Sequence, residues 1–199
     1  MNLHVSRGTF MNTVLRDDSG EPRYRIETSF TKALRGRETI VSRFLPGADA
    51  FRNGGQSLLV TSSNTGSETD IHLRGLPEEE IATIEWHRLT PTLFKWLGRT
   101  VEVGTYMPYK GALWRKRAFT ATDGQSYVWT YGIRRSYLAR DDDTHACIAR
   151  YHRRSLGLIG ESRKAYLEIS PDGTNIADEI VVTFVYIERR REQRRRRRA

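Results

Sequence analysis

The chain has 199 residues, 33 basic and 24 acidic side chains, a formal net charge of +9 and one cysteine, Cys147. That length supports one domain of ordinary size, no composition break marks a second, and a lone cysteine excludes an intramolecular disulfide. The charge is local, because residues 189–199 hold eight Arg and one Glu and leave 25 basic and 23 acidic groups, a net of +2, for the other 188. Charge balance therefore makes no case for a nucleic-acid-binding body. Met1–Leu15 lacks the apolar core of a signal peptide, and no Asn-x-Ser/Thr acceptor occurs. With the single cysteine this predicts an intracellular home, cytoplasmic or nuclear.

In chain order, Phe10–Arg16 reads as a strand, Asp17–Pro22 as a turn, and Arg23–Thr28 as the returning strand, with Tyr24, Ile26 and Thr28 alternating against Arg23, Arg25 and Glu27. Thr39–Phe44 is the next strand. Ser57–Thr61 is another, between two polar loops at 46–57 and 62–70 that are too poor in apolar residues to fold alone. Ile81–His87 alternates, and Thr100–Met107 puts Val101, Val103 and Thr105 on one face. Leu113–Thr120 and Ser126–Tyr131 flank Asp123-Gly124, a strong hairpin signal. Tyr137–Arg140, Ala146–Arg153 and Ala165–Ile169 are three further short runs, and Pro171-Asp172-Gly173 makes a turn. Ten to twelve short strands at this spacing predict a sandwich or a barrel.

The last segment is different. Ile180–Ile187 is the longest apolar run, broken only by Thr183. Its β-branched residues favour a strand, whereas its ends favour a helix. Asn175 stands where a cap is needed, Asp178 and Glu179 sit at the positive end of a helix dipole, and the arginines sit at the negative end. A helix apolar on all faces must be enclosed by protein, since eight residues are far short of the ~20 that cross a bilayer. A barrel filled by this helix meets that demand. The expected core positions are Ile180, Val181, Val182, Phe184, Val185 and Ile187.

IEWH at 84–87, FTATDGQSYVW at 119–129, IARYHRR at 148–154 and LEISPDG at 167–173 occur in that order, followed by DEIVVTFVYIERRR at 178–191. Together they resemble a family of fungal domains of unknown function, across about residues 8–191. That family is similar in turn to the tubby C-terminal, LURP-one-related and phospholipid-scramblase-like domains. The resemblance implies a mainly β fold, a closed antiparallel barrel around a central C-terminal helix at about 176–190. It offers no transferable catalytic residue, while composition and charge divide the chain into a single domain at 1–188 and an Arg-rich tail at 189–199.

No catalytic or metal-binding motif is present: no HExxH, G-x-S-x-G, P-loop or Cys/His cluster. No cofactor is expected. His145 and Cys147 share one face of a strand, which fits a small buried cysteine beside a surface histidine better than a nucleophile and base. Asp141–Asp143 reads as a solvated acidic loop. Trp86, Trp96 and Trp129 read as core anchors. Trp114 beside Arg115, Lys116 and Arg117 reads either as a core anchor under arginine stems or as an aromatic platform on a basic surface. Arg134, Arg135, Arg153 and Arg154 complete the candidate contacts for an anionic ligand, with membrane phosphoinositides the class implied by fold resemblance. The tail, Arg189, Arg190, Arg191, Arg194, Arg195, Arg196, Arg197 and Arg198, is open to three readings: a nucleic-acid or nuclear-import arm, an anionic-membrane anchor, or a solvated terminus. Eight unpaired charges are too costly to bury, so the tail is expected to leave the barrel.

Overall fold

The computed structural model describes residues 1–6, 10–30, 37–45, 73, 75–87, 89–112, 115–132, 135–154 and 164–197. Twelve antiparallel strands form one sheet: β1 (Asn2–Val5), β2 (Thr13–Arg16), β3 (Pro22–Phe30), β4 (Arg37–Phe44), β5 (Glu78–Trp86), β6 (Leu93–Trp96), β7 (Arg99–Glu102), β8 (Lys116–Thr120), β9 (Ser126–Tyr131), β10 (Ser136–Arg140), β11 (Cys147–His152) and β12 (Tyr166–Ile169). Among the described residues two helices complete it, a single turn α1 (Val103–Tyr106) and the long α2 (Ala177–Arg196), which follows a 3-10 turn at Pro171–Ile176. The strand expected at Ser57–Thr61, both polar loops, Leu113 and Trp114 lie outside the described residues.

The hairpins rest on their turn residues. Gly20 and Gly124 adopt φ of 90° and 78°, the left-handed region that favours glycine. Alternation then decides which side chains turn inward: Tyr24 and Ile26 on β3, Tyr127 and Trp129 on β9, and Leu167 and Ile169 on β12 are buried.

The strand order is β7-β6-β5-β4-β3-β2-β1-β12-β11-β10-β9-β8. Its two edges, β7 and β8, are successive in the chain, joined by residues 103–115. Laid flat, twelve strands would hold those edges about 53 Å apart, whereas fourteen extended residue steps reach at most about 50 Å and α1 shortens that further. The sheet must curl. Among the described residues no ladder closes it. Instead α1 turns inward and the segment after it bridges to β8, with Tyr109 paired to Arg117, Lys110 N donating to Lys116 O and Ala118 N to Pro108 O. Strand pairing is thus open at one seam.

Helix α2 occupies the interior of the curl. Every residue from Val181 to Glu188 is buried, and so are Ile180 and Glu179. Phe184 packs on Phe10, Trp129 and Tyr151, with ring centroids 6.1, 6.3 and 4.9 Å away. Tyr186 stacks on Trp86 at 5.8 Å and meets Phe94 edge-on. Thr183, the one polar side chain in the apolar run, accepts from Trp129 Nε1 at 2.9 Å and donates to Glu179 O. These partners come from both halves of the sheet.

Four local expectations are corrected. The helix begins at Ala177 with Asn175 inside the 3-10 turn, where its amide donates to Asp123 rather than capping α2. The run Thr100–Met107 is a strand only to Glu102, after which α1 carries Tyr106 inward to bond Glu179. Cys147 is exposed, not buried. A register shift opposite Leu138/Ala139 makes Ile148 the extra residue of a bulge, so Ile148 and Ala149 both turn inward and Cys147 turns out. Residues 189–196 continue α2 without a break instead of leaving as a separate tail.

Candidate functional site

The two ends of α2 are electrostatically opposite. At the N-terminal end Asp178 accepts from Tyr24 Oη at 2.7 Å and from Arg43 at 2.6 Å. The buried Glu179 accepts from Tyr106 Oη, Thr122 N and Thr122 Oγ1 at 2.8, 2.9 and 2.8 Å. Acceptors of this kind suit the free N–H groups and positive dipole at a helix start. Burial, with Asp178 and Glu179 adding to it, pushes the Tyr24 and Tyr106 phenols well above the usual range, so both stay donors.

At the C-terminal end the charges are arginines. Glu188 is 0% exposed and Arg191 only 8%. The carboxylate accepts from Ser136 Oγ at 2.6 Å and from Arg191 Nε at 2.9 Å and Nη2. Burial pushes the Glu188 carboxyl up, against the pull of Arg191, Ser136 and Arg153. Arg191 therefore does not leave for solvent as the sequence suggested. Its charge is tolerated inside because a carboxylate one turn earlier was buried with it.

A second cluster fills the seam between β7 and β8. Arg117 is 5% exposed and lies over the rings of Tyr109 and Tyr186, its guanidinium carbon 3.8 and 5.2 Å from their centroids, and it donates to Met107 O. Arg190 Nη2 approaches Tyr109 Oη at 3.4 Å, and Arg194 lies over Tyr131 at 5.2 Å. Burial alone would raise the Tyr109 phenol. Hydrogen bonds from Arg190 and Arg117, together with their charges, outweigh it and bring Tyr109 down to about 8.

Around these two clusters the exposed basic groups assemble. Tyr131, under Arg194, donates its N–H to Arg115 O. Ser136, bonded to Glu188, follows Arg135 and pairs with Tyr151 of β11, two residues before Arg153. Arg153, exposed yet partly desolvated at its position, is held below its ordinary value by that desolvation and then by Arg191 and Arg195, with Glu188 opposing. Arg189 is lowered by burial and by Arg37 at the start of β4. The ends of β8, β9, β10, β11 and β4 thus bring residues far apart in sequence to the arginine end of α2.

A family model matches residues 9–193. The chain belongs to DUF6593, a family of unknown function. No curated protein and no solved structure matches it. The part shared with DUF6593 runs from just before β2 to Gln193, so Glu188 and Arg189–Arg191 belong to the DUF6593 domain itself, while Arg194–Arg197 lie past the matched span.

The candidate residues in this DUF6593 chain divide by depth. Arg115, Lys116, Arg135, Arg153, Arg154, Arg195, Arg196 and Arg197 are exposed; Arg189, Arg190 and Arg194 are half-buried; Arg117 and Arg191 are buried. Arg117 turns inward because it shares the inner face of β8 with Phe119. Arg134 and Arg198 lie outside the described residues. Sequence reasoning missed Tyr109, Tyr131, Ser136, Arg37 and Glu188. Only Glu188 carried a signal, an acidic residue three before Arg191 on one helix face. Among the described residues no group of His, Cys, Asp or Glu is placed to hold a metal, and no helix is long and apolar enough to cross a membrane.

Proposed function

We propose that the chain is a non-enzymatic binding or scaffold module whose arginine-rich end takes phosphate-bearing groups, with membrane phosphoinositides as the ligand class. The observation that carries this reading is that the strand ends holding Arg115, Arg135 and Arg153 lie beside the last turns of α2, and the exposed Lys116 and Arg154 adjoin them in sequence. Guanidinium groups match phosphate in charge and fork geometry. Glu188 is already engaged by Ser136 and Arg191, so Arg153 and Arg195 repel one another across a site that a bound anion would relieve. The resemblance to tubby, LURP-one and scramblase-like domains supports a lipid ligand and a closed barrel. An interior helix enclosed from both halves of the sheet and edges successive in the chain support the same architecture.

The test is co-sedimentation of the full chain with phosphatidylcholine vesicles, with and without a phosphoinositide, against Arg153→Glu and Arg195→Glu variants. Selective binding to phosphoinositide vesicles that falls in both variants is the expected outcome. Equal binding to duplex DNA and to any anionic vesicle would point instead to a general phosphate-backbone contact, with the steep salt dependence of counterion release. Truncation after Glu188 is not a clean alternative, because it leaves that buried carboxylate without Arg191.

A further inference from the structure

We propose that Leu89, in the connection between β5 and β6, is a hydrophobic wedge that enters the bilayer while the arginine end holds the headgroups. This deepens the reading above and rests on it.

Leu89 is 100% exposed, whereas the leucines at positions 3, 15, 73, 138 and 167 are buried. An isolated exposed leucine is ordinary on a protein surface. This one has two further properties. Its position is the first. β5 ends at Trp86, which stacks on Tyr186 with an interplanar angle of 5° and pairs with Arg37 at the start of β4. Tyr186 lies one turn before Arg189 and Arg190, so the loop departs from the end of the fold where the guanidiniums gather. The second property is bracing. His87 Nδ1 donates to Pro91 O at 2.9 Å across the base of the loop, and Val103 N donates to Thr92 O at 2.9 Å just beyond it. Leu89 is fully exposed between the two residues of the first of these bonds, His87 and Pro91. Nearby Glu85 is neutralised by Lys95 at 2.5 Å on the outer wall, so it does not oppose approach to an anionic surface.

Charge alone would bind a soluble polyanion and a charged membrane alike, at about 1 kcal/mol per basic residue near an anionic leaflet. An apolar side chain on the same face adds a contribution that only a bilayer returns, because only the bilayer offers a hydrocarbon phase. Leu97 supplies an internal control. It is 61% exposed at the β6–β7 turn, next to Trp96, which pairs with Ala82 toward the opposite end of the fold.

The experiment compares the full chain with Leu89→Gln and Leu97→Gln, both neutral replacements at exposed positions that leave the core intact. Each is titrated with phosphatidylcholine vesicles carrying phosphatidylserine and a phosphoinositide, and separately with soluble inositol hexakisphosphate. We expect Leu89→Gln to bind the vesicles roughly tenfold or more weakly, the scale for withdrawing a buried leucine, with soluble polyanion binding unchanged. Leu97→Gln should match the parent on both. Equal vesicle binding by Leu89→Gln and the parent overturns the wedge while leaving the basic end intact. Binding of the soluble polyanion but not the vesicles by the parent overturns it too. A parent that binds neither refutes the underlying reading and the wedge together.

Discussion

Replacing Arg191 by Met removes one partner of an ion pair in which the other, Glu188, is completely buried. Glu188 would lose the hydrogen bonds from Arg191 Nε and Nη2 and keep only that from Ser136. Breaking a buried pair from one side costs about 3–5 kcal/mol, and the remaining hydroxyl donor places this case near the lower end, about 3 kcal/mol. For a chain of this size that is a fall in Tm of roughly 6–12 °C. The carboxyl of Glu188 already lies above the ordinary range through burial, and losing Arg191 removes a group that holds it down. A carboxyl raised in the folded state contributes stability that is fully present below its unfolded pKa, about 4.3, and is lost as pH rises through the folded value. The deficit of Arg191→Met should therefore be largest near neutral pH and shrink toward mild acid. Urea denaturation followed by tryptophan fluorescence at both pH values measures this. The double variant Arg191→Met/Glu188→Gln, which removes the stranded charge and keeps an acceptor for Ser136, should regain at least half the loss. A single variant within about 1 kcal/mol of the parent at neutral pH, or a double variant as weak as the single, would refute the buried pair.

Phe184→Asp should abolish soluble folding, because it removes a fully buried ring packed on Phe10, Trp129 and Tyr151 and puts a carboxylate in its place; a normally soluble variant with native circular dichroism would sink the enclosed-helix architecture. In an ultraviolet phenolate titration one tyrosine should ionise near 8, and Tyr109→Phe should remove that step. Since the unfolded value is about 10, ionised Tyr109 adds stability that is present above that pH and is lost as pH falls through about 8, so the parent should gain on Tyr109→Phe between those limits. Gly173→Ala should lower stability by about 1–3 kcal/mol, since a Cβ there would lie 2.7 Å from Ile148 Cγ2 and 3.1 Å from Ile169 Cγ2; an unchanged denaturation midpoint would refute the tight packing of the turn.

Much of the fold was legible in local chemistry. The turn residues and alternation around Asp17–Pro22 and Asp123-Gly124 indicated β2–β3 and β8–β9, and the charges flanking Ile180–Ile187 marked a helix against the strand preference of its side chains. β1 and β6 escaped notice because each is four residues long and draws its stability from neighbours on both sides. The inward turn of Arg117 was hidden because a charged residue carries no sign that two tyrosines and a carbonyl await it inside. The gathering of Arg115, Arg135 and Arg153 was not readable for another reason. Convergence depends on antiparallel register and strand length, which fix where each strand ends relative to α2, and no stretch of sequence encodes that alone.

The strand order has a consequence for assembly of the molecule. Among the described strands every ladder except β1–β12 joins neighbours in the chain, and that one pairs Asn2 with Glu168. The architecture is two meanders, β1–β7 and β8–β12, zipped along a single long-range seam around a helix that comes after all twelve strands. During synthesis the first meander therefore stands with its apolar face bare until the helix arrives. Folding should be slow and prone to aggregation at that stage. The same layout marks the polypeptide between β7 and β8 as a natural place to divide the chain. Two separately made halves would each carry a complete meander, and one would bring the helix on which both must close.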